Sequence, residues 1–291
     1  MLSIDGGGIR GMFAASVLYN LRKALARNLS DTFSLVVGTS VGALLGALIA
    51  SGKEEQLENI MRRPMYPAFF DEGLKETLLP FVTCSYKGVV KQQTLQQYFG
   101  VDSRVRDCKI PLIVSTYDWT EKRPKVFESD RITSDLCTWS LLDAATAAPT
   151  YFPPVKLIEP QSAHLYLDAG IALNNPGVLA IAEATERWPN DEICVFSIGC
   201  GRAKEARMEN LPFCNWSSMD WTLHGIVNLL QHAPSQMYEH LAEQFCTDYL
   251  RMDTDLSADM DDEDMCTQLW FLSEGDRAFT DTYERIVNFF A

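Results

Sequence analysis

The segment from Leu35 to Ala50, "LVVGTSVGALLGALIA", constrains this chain most. It is almost wholly apolar, and Gly38, Gly42 and Gly46 recur at the four-residue spacing of a helix-pairing seam in membranes. The segment is too short to be a span, since a bilayer needs roughly 20 residues, and Asp31 and Lys53 bracket it closely. An apolar strand running straight into a buried helix accounts for the same composition.

The chain opens on the same plan. Leu2 to Ile4 reads as a short strand, "DGGGIRG" as a glycine loop, and Gly11 to about Arg27 as a helix. A second strand at Phe33 to Val37, a tight turn at Gly38 to Ser40 and a helix to about Ser51 complete a β-loop-α-β-turn-α unit. Such units build parallel sheets flanked by helices. Further strands are expected at Pro111 to Tyr117, Lys125 to Glu128, His164 to Leu167 and Ile193 to Ile198, with helices at Ser140 to Ala147 and Pro176 to Arg187. The reading is one α/β domain over residues 1–291, with its motifs in about 1–200 and a helical, acidic C-terminal part from about 212. In that part a helix is expected at about Trp221 to Gln244 and a solvated acidic loop at Asp248 to Asp264. Asp253, Asp255, Asp259 and Asp261 lack the glycine and closing glutamate of a calcium loop. Between Glu54 and Arg106 an irregular, mainly helical stretch with Tyr66, Phe69, Phe70 and Phe81 reads as an insertion or lid.

A formal net charge of −14 argues against nucleic acid as a partner. Eight cysteines without a C-x-x-C pair read as reduced thiols, and "MLSIDGGG" has neither the basic nor the apolar region of a secretory leader. Both point to a cytoplasmic location. Neither a metal nor a cofactor is expected.

The glycine loop admits three readings. Gly6-x-Gly8-x-x-Gly11 between strand and helix fits a dinucleotide fingerprint, but Asp5 would oppose a pyrophosphate and Asp31 precedes the second strand instead of ending it. A Walker A reading fails on "GALIASGKE" further along, which has one residue too many and Glu54 in place of Ser or Thr, and a tight strand-helix turn needs no ligand at all. In the third reading, glycines at a helix N-terminus present backbone N–H groups to a developing negative charge, with Arg10 adding a cation or anchoring the loop.

Gly38-x-Ser40-x-Gly42 at a strand-to-helix junction is the pattern of a nucleophile elbow, and Ser40 as a simple N-cap is the plainer alternative. A nucleophilic serine needs a base within reach. The histidines are His164, His224, His232 and His240, the last three spaced as on one helix face. Asp168 in "LYLDAGIALNNP" ends an apolar strand before the Ala169-Gly170 turn, where a carboxylate reaches the same crevice as the serine turn. Burial would raise its pKa toward a useful range; its alternative role is to bond the Asn174-Asn175 turn.

Taken together, Asp5 to Gly11, Gly38 to Gly42 and Asp168-Ala169-Gly170, supported by "AATAAPTYFPPV" at Ala144 to Val155, resemble the patatin-like phospholipase family. The resemblance covers about residues 1–200. It implies a three-layer α/β sandwich with a mainly parallel central sheet, a serine-aspartate dyad of Ser40 as nucleophile and Asp168 as proton acceptor, and an oxyanion hole from Gly6, Gly7, Gly8 and Arg10. Gly11, Gly38, Gly42, Ala169 and Gly170 complete the motifs. The implied activity is metal-free hydrolysis of acyl esters of membrane phospholipids through an acyl-serine, by a protein contacting the membrane peripherally. Some bacterial members are nucleotide-activated antiphage effectors, a role with no identifiable nucleotide site here, and a homo-oligomer is left open. The rivals are an esterase with a histidine base and a catalytically inactive storage or binding protein on the same scaffold.

Overall fold

In the computed structural model the described residues are 1–62, 69–70, 84–132, 135–159, 162–203, 226–256 and 264–291. Tyr66, Phe81, His224, Asp259 and Asp261 lie outside them. Over the first half the elements are β1 (Leu2–Ile4), α1 (Gly11–Leu25), β2 (Val36–Thr39), α2 (Val41–Ala50), α3 (Gln56–Arg62), α4 (Val89–Phe99), β3 (Leu112–Asp118), β4 (Arg123–Glu128) and α5 (Thr138–Ala145). There follow β5 (Val155–Ile158), β6 (Ala163–Asp168), α6 (Gly177–Arg187), β7 (Cys194–Ile198), β8 (Arg202–Ala203), α7 (Ile226–Phe245), β9 (Asp248–Met252), β10 (Asp255–Leu256), α8 (Met265–Asp281) and α9 (Tyr283–Phe289).

The eight-stranded central sheet is mainly parallel. β1 lies between β2 and β7, β3 continues the parallel order beyond β2, and β9 continues it beyond β7. β4 and β6 pair antiparallel with β3, and β5 forms a hairpin with β6. Alternate residues of β2 face opposite ways, as strand geometry requires. Val36 joins the large core beneath α1 and α2, while Leu35 and Val37 pack with Ala180 and Ala184 of α6. Helices therefore cover both faces of the sheet, the three-layer α/β arrangement expected of the sequence.

Every residue of α2 is buried, which is why its sequence is apolar on all sides instead of along one stripe. No helix among the described residues is long and apolar enough to cross a membrane. The C-terminal helix α8 closes over α1: Ser16 Oγ donates to Leu272 O at 3.0 Å and to Asp276 Oδ1 at 2.6 Å, and Gly275 leaves room for Ser16.

Two expectations need correction. Asp248–Met252 is not acidic loop but a strand of the central sheet, with Leu250 and Met252 buried. The flanking carboxylates mask its alternation, and one of them, Asp253, is itself ion-paired to Arg251 at 2.8 Å. The second strand runs to Thr39 instead of stopping at Val37, so Gly38 belongs to the sheet and the turn is confined to Ser40.

Candidate active site

β3 acts as a rail along which two strands meet end to end. β4 occupies one edge of β3 from Ile113 to Asp118. On the other edge β2 pairs with Leu112 to Ser115, and β6, running the opposite way, pairs with Thr116 to Asp118. Thr39 faces Ser115 and Asp168 faces Thr116, the next position on the rail. The last residue of β6 and the residue after β2, Ser40, are thus brought together. Asp168 does not end a parallel strand, as the sequence suggested; it reaches the crevice by entering from the other side.

Ser40 has φ 55° and ψ −125°, in the left-handed half of the map that non-glycine residues avoid. Such backbone costs on the order of 1–3 kcal/mol and persists only where its surroundings dictate it. Here the flanking glycines do so. A Cβ on Gly38 would lie 2.5 Å from the Ala43 nitrogen, and one on Gly42 would lie 2.6 Å from the Asp5 carbonyl oxygen. The strand end, the helix start and the glycine loop can approach this closely only without those side chains. Ser40 consequently stands at the N-terminus of α2, whose dipole is positive there, and its carbonyl accepts from Ala43 N at 2.9 Å and Leu44 N at 3.2 Å.

The Ser40 hydroxyl faces the Asp168 carboxylate closely enough to pull its pKa down. That carboxylate also accepts the Gly170 N–H at 2.8 Å, and the Asp168 N–H is tied to Ala147 O at 3.0 Å. Burial pushes the Asp168 pKa up to about 6, against the opposing pull of the Ser40 hydroxyl, the Gly170 N–H and the Lys91 charge. The Asn174-Asn175 turn is held by other groups: Asn174 O accepts the Gly6 N–H at 3.0 Å, and Asn175 Oδ1 accepts the Gly177 N–H at 2.9 Å.

The glycine loop forms the opposite wall. Gly7 and Gly8 line the cleft with Ser40 and Asp168, Gly170 lines it beside them, and Ala169 is buried behind. Gly6 lies deeper. Arg10 is buried and its Nε donates to Gly7 O at 3.1 Å, so its guanidinium anchors the loop. Gly11 starts α1 where a Cβ would strike the Val41 side chain. The open cleft is walled mainly by apolar and aromatic groups such as Phe69, Phe70, Tyr151 and Phe152.

Two contributors had no motif to announce them. Lys91, on α4, lines the cleft 98% buried side by side with Asp143, at 3.0 Å, and sits 4.2 Å above the Phe152 ring. In sequence it is one lysine in a polar stretch, "VVKQQTLQQYF", without periodic signal. Arg251, on β9, takes both oxygens of Asp5 in a fork, at 3.1 and 2.6 Å. That pairing answers the carboxylate that sat awkwardly before the glycines.

His164 and His240 stand elsewhere. His164 lies four residues before Asp168 on β6, about 13 Å away at a strand's rise per residue, and binds Asp118 Oδ2 through Nδ1 at 2.7 Å. His240 is on α7 and pairs with Gln244 at 3.0 Å. Among the described residues no group of metal-ligating side chains forms, and the seven described cysteines are free thiols.

Comparison with known proteins gives a consistent picture. The family model described as patatin-like phospholipase matches residues 2–181. Patatin-like protein 2 of Arabidopsis thaliana is 27% identical, across 92% of this chain and 78% of its own length. Patatin group A-2 of Solanum tuberosum is 26% identical across 82% and 70%. A potato relative named as a probable inactive patatin, patatin-3-Kuras 1, is 29% identical across 66% of this chain. Among solved structures, VipD from Legionella pneumophila superimposes with a TM-score of 0.50 over 98% of this chain and 66% of its own, at 10% identity, a likeness of fold.

Proposed function

From the premise that the chain belongs to the patatin-like phospholipase family, and so among lipid acyl hydrolases, we propose that it is a serine hydrolase of the phospholipase A or lysophospholipase type, with Ser40 as nucleophile and Asp168 as base. The observation that carries this reading is the Ser40 hydroxyl facing a buried carboxylate in one apolar cleft, with that carboxylate's pKa pushed up to about 6.

Asp168 takes the Ser40 proton as Oγ attacks the ester carbonyl carbon. The carbonyl oxygen becomes the oxyanion. Because the Gly6 N–H is already given to Asn174 O, the donors we assign to it are the backbone N–H groups of Gly7 and Gly8, aided by the N-terminus of α2. Collapse breaks the ester bond, and the departing alcohol takes the proton from Asp168. Water then adds to the acyl-serine with Asp168 again accepting a proton, which releases the fatty acid and restores Ser40. Every proton is accounted for within the dyad. The aromatic wall at Phe69, Phe70 and Phe152 would hold the acyl chain, and the substrate would be drawn from a membrane surface facing the cytoplasm.

The test is covalent labelling followed by turnover. A fluorophosphonate probe should modify Ser40 and fail on Ser40→Ala, and the purified protein should release fatty acid from phospholipid or lysophospholipid vesicles. Absence of both labelling and hydrolysis in the wild type would place the chain with the inactive relatives instead.

A further inference from the structure

The glycine loop is an extension of β1, so whatever fixes the end of β1 fixes the groups opposite Ser40. Part of that fixing is local: the Asp5 N–H goes to Ile198 O at 2.9 Å and the Gly6 N–H to Asn174 O. Cys200 closes against Gly7, and its thiol donates to Asp5 O at 3.2 Å.

The remainder comes from far along the chain. Register across three strands sets Ser3 beside Ser197 and Ser197 beside Arg251. From β9 the Arg251 guanidinium crosses β7, donating to Ser197 Oγ at 2.7 Å on the way, and grips both oxygens of Asp5. Its other neighbours are Asp253 at 2.8 Å and Glu239 at 3.8 Å. Asp253 is fixed in turn by the N–H groups of Gly201 and Thr254, at 3.0 and 2.9 Å. All three ends of this chain of contacts, Asp5, Arg251 and Asp253, are shielded from water. A forked guanidinium-carboxylate pair of this kind sets orientation as well as charge.

We infer that Arg251 is a positioning residue for catalysis, clamping Asp5 so that the following glycines present their N–H groups to the oxyanion. The inference deepens the reading of Ser40 and Asp168 above and rests on it. Two physical effects converge. The fork fixes the direction in which the chain leaves β1, and the guanidinium is the counter-charge to a buried carboxyl one residue before the glycines. Both act on the transition state more than on the bound ester, so the loss should fall on kcat. Arg251 lies outside residues 2–181, the part matched by the family model, so the C-terminal third supplies a part of the site that the motifs do not contain.

The experiment compares wild type, Arg251→Met, Arg251→Lys and Arg251→Met with Asp5→Asn on a short-chain p-nitrophenyl ester. Removing one oxyanion donor costs about 100-fold or more in kcat. Arg251→Met should lose about 100-fold in kcat with KM within about twofold, and adding Asp5→Asn should not restore it, because the fork is still absent. Should Arg251→Met fail to fold, Arg251→Lys keeps the charge without the fork and should lose about tenfold in kcat at unchanged KM. Wild-type kcat in a folded Arg251 variant, or a loss confined to KM, overturns the clamp. Amide hydrogen exchange separates this from the underlying reading: in the folded Arg251 variant the peptide covering residues 2–12 should exchange faster while α2 is unchanged. Unchanged exchange there overturns the clamp whether or not the wild type hydrolyses esters. Faster exchange in a protein whose wild type is inactive upholds the clamp and overturns the reading of Ser40.

Discussion

Strand β6 carries a serine-to-carboxylate connection at each end. At its C-terminal end Asp168 shares the cleft with the Ser40 hydroxyl, with no imidazole between them among the described residues. Toward its start His164 links Ser162 Oγ, at 2.5 Å, to Asp118 Oδ2, at 2.7 Å. By residue type the second set is the more familiar, with the imidazole between hydroxyl and carboxylate as in a serine-histidine-aspartate triad. Its surroundings differ in every respect that matters for chemistry. Ser162 is exposed at the rim of the β5-β6 hairpin, while Ser40 is half-buried in the cleft, on strained backbone at a helix N-terminus. Asp118 is held below the usual carboxylate range: burial pushes it up, but the Glu121 and Thr120 N–H groups and His164 outweigh burial. Asp168 is pushed the other way. On the proposed reading a nucleophile is made by strain, desolvation and aimed donors, and residue types alone do not distinguish the two ends.

The largest expected difference between them is in turnover. Asp168→Asn should lower kcat/KM for ester hydrolysis by about 10⁶-fold, the scale seen when the base coupled to a nucleophilic serine is removed. His164→Gln and Ser162→Ala should leave it within about twofold, because neither residue touches the cleft. Steady-state kinetics on one short-chain ester decides between the two ends, and a collapse of activity in His164→Gln would exchange their roles.

Next in size is the packing that builds the Ser40 end. A methyl group on Gly42 is driven into the Ile4 and Asp5 carbonyls, which belong to the central sheet and cannot move aside. Gly42→Ala should therefore cost roughly 2–3 kcal/mol of stability, at the upper end for overpacking. Ala163→Gly near the Ser162 end, where residue 163 is exposed, should cost under about 1 kcal/mol. Urea unfolding of both variants measures the contrast.

Much of this was readable in the sequence, for identifiable reasons. β1, β2, α1 and α2 announce themselves because a buried parallel strand and an all-round buried helix are continuous apolar runs. The glycines around Ser40 are legible because close backbone approach excludes every other residue. β9 was not legible: "DYLRM" buries only alternate residues and lies among carboxylates whose composition suggests solvent. The end-to-end junction of β2 and β6 was not legible either, since strand direction depends on pairing partners and not on local pattern. Lys91 and Arg251 share that limit. Each is buried only because a distant acid, Asp143 or Asp5, meets it after folding.

The pH dependence sharpens the comparison further. With Asp168 as base, activity requires the carboxylate, so kcat/KM should rise with pH through about 6 and level off above. Between the plateau and pH 5 the loss should be about tenfold for a single group of that pKa. The profile should be the same in His164→Gln. A midpoint that moves in that variant would put an imidazole in the mechanism and the His164 end of β6 in contact with the reaction.

The smallest effect is on stability, and it should have opposite signs at the two ends. Asp168 has its pKa raised from 3.8 to about 6 by folding. Between those values the folded state holds more protons than the unfolded chain, so stability falls as pH rises through the window and the deficit is complete above it. Two pKa units correspond to about 3 kcal/mol as an upper bound. Asp168→Asn keeps an oxygen for the Gly170 N–H and removes the buried charge, so it should gain about 1–2 kcal/mol at pH 8 and nothing at pH 4, where the wild-type carboxyl is already protonated. Asp118 has the opposite shift, and its carboxylate stabilises the fold above its unfolded pKa; Asp118→Asn should lose stability at pH 8 and little at pH 3. Denaturant melts of both variants at the two pH extremes test the pair. A stabilised but inactive Asp168→Asn would show that the carboxylate is kept for its chemistry at the expense of the fold, whereas a destabilised one would make it a structural group like Asp118.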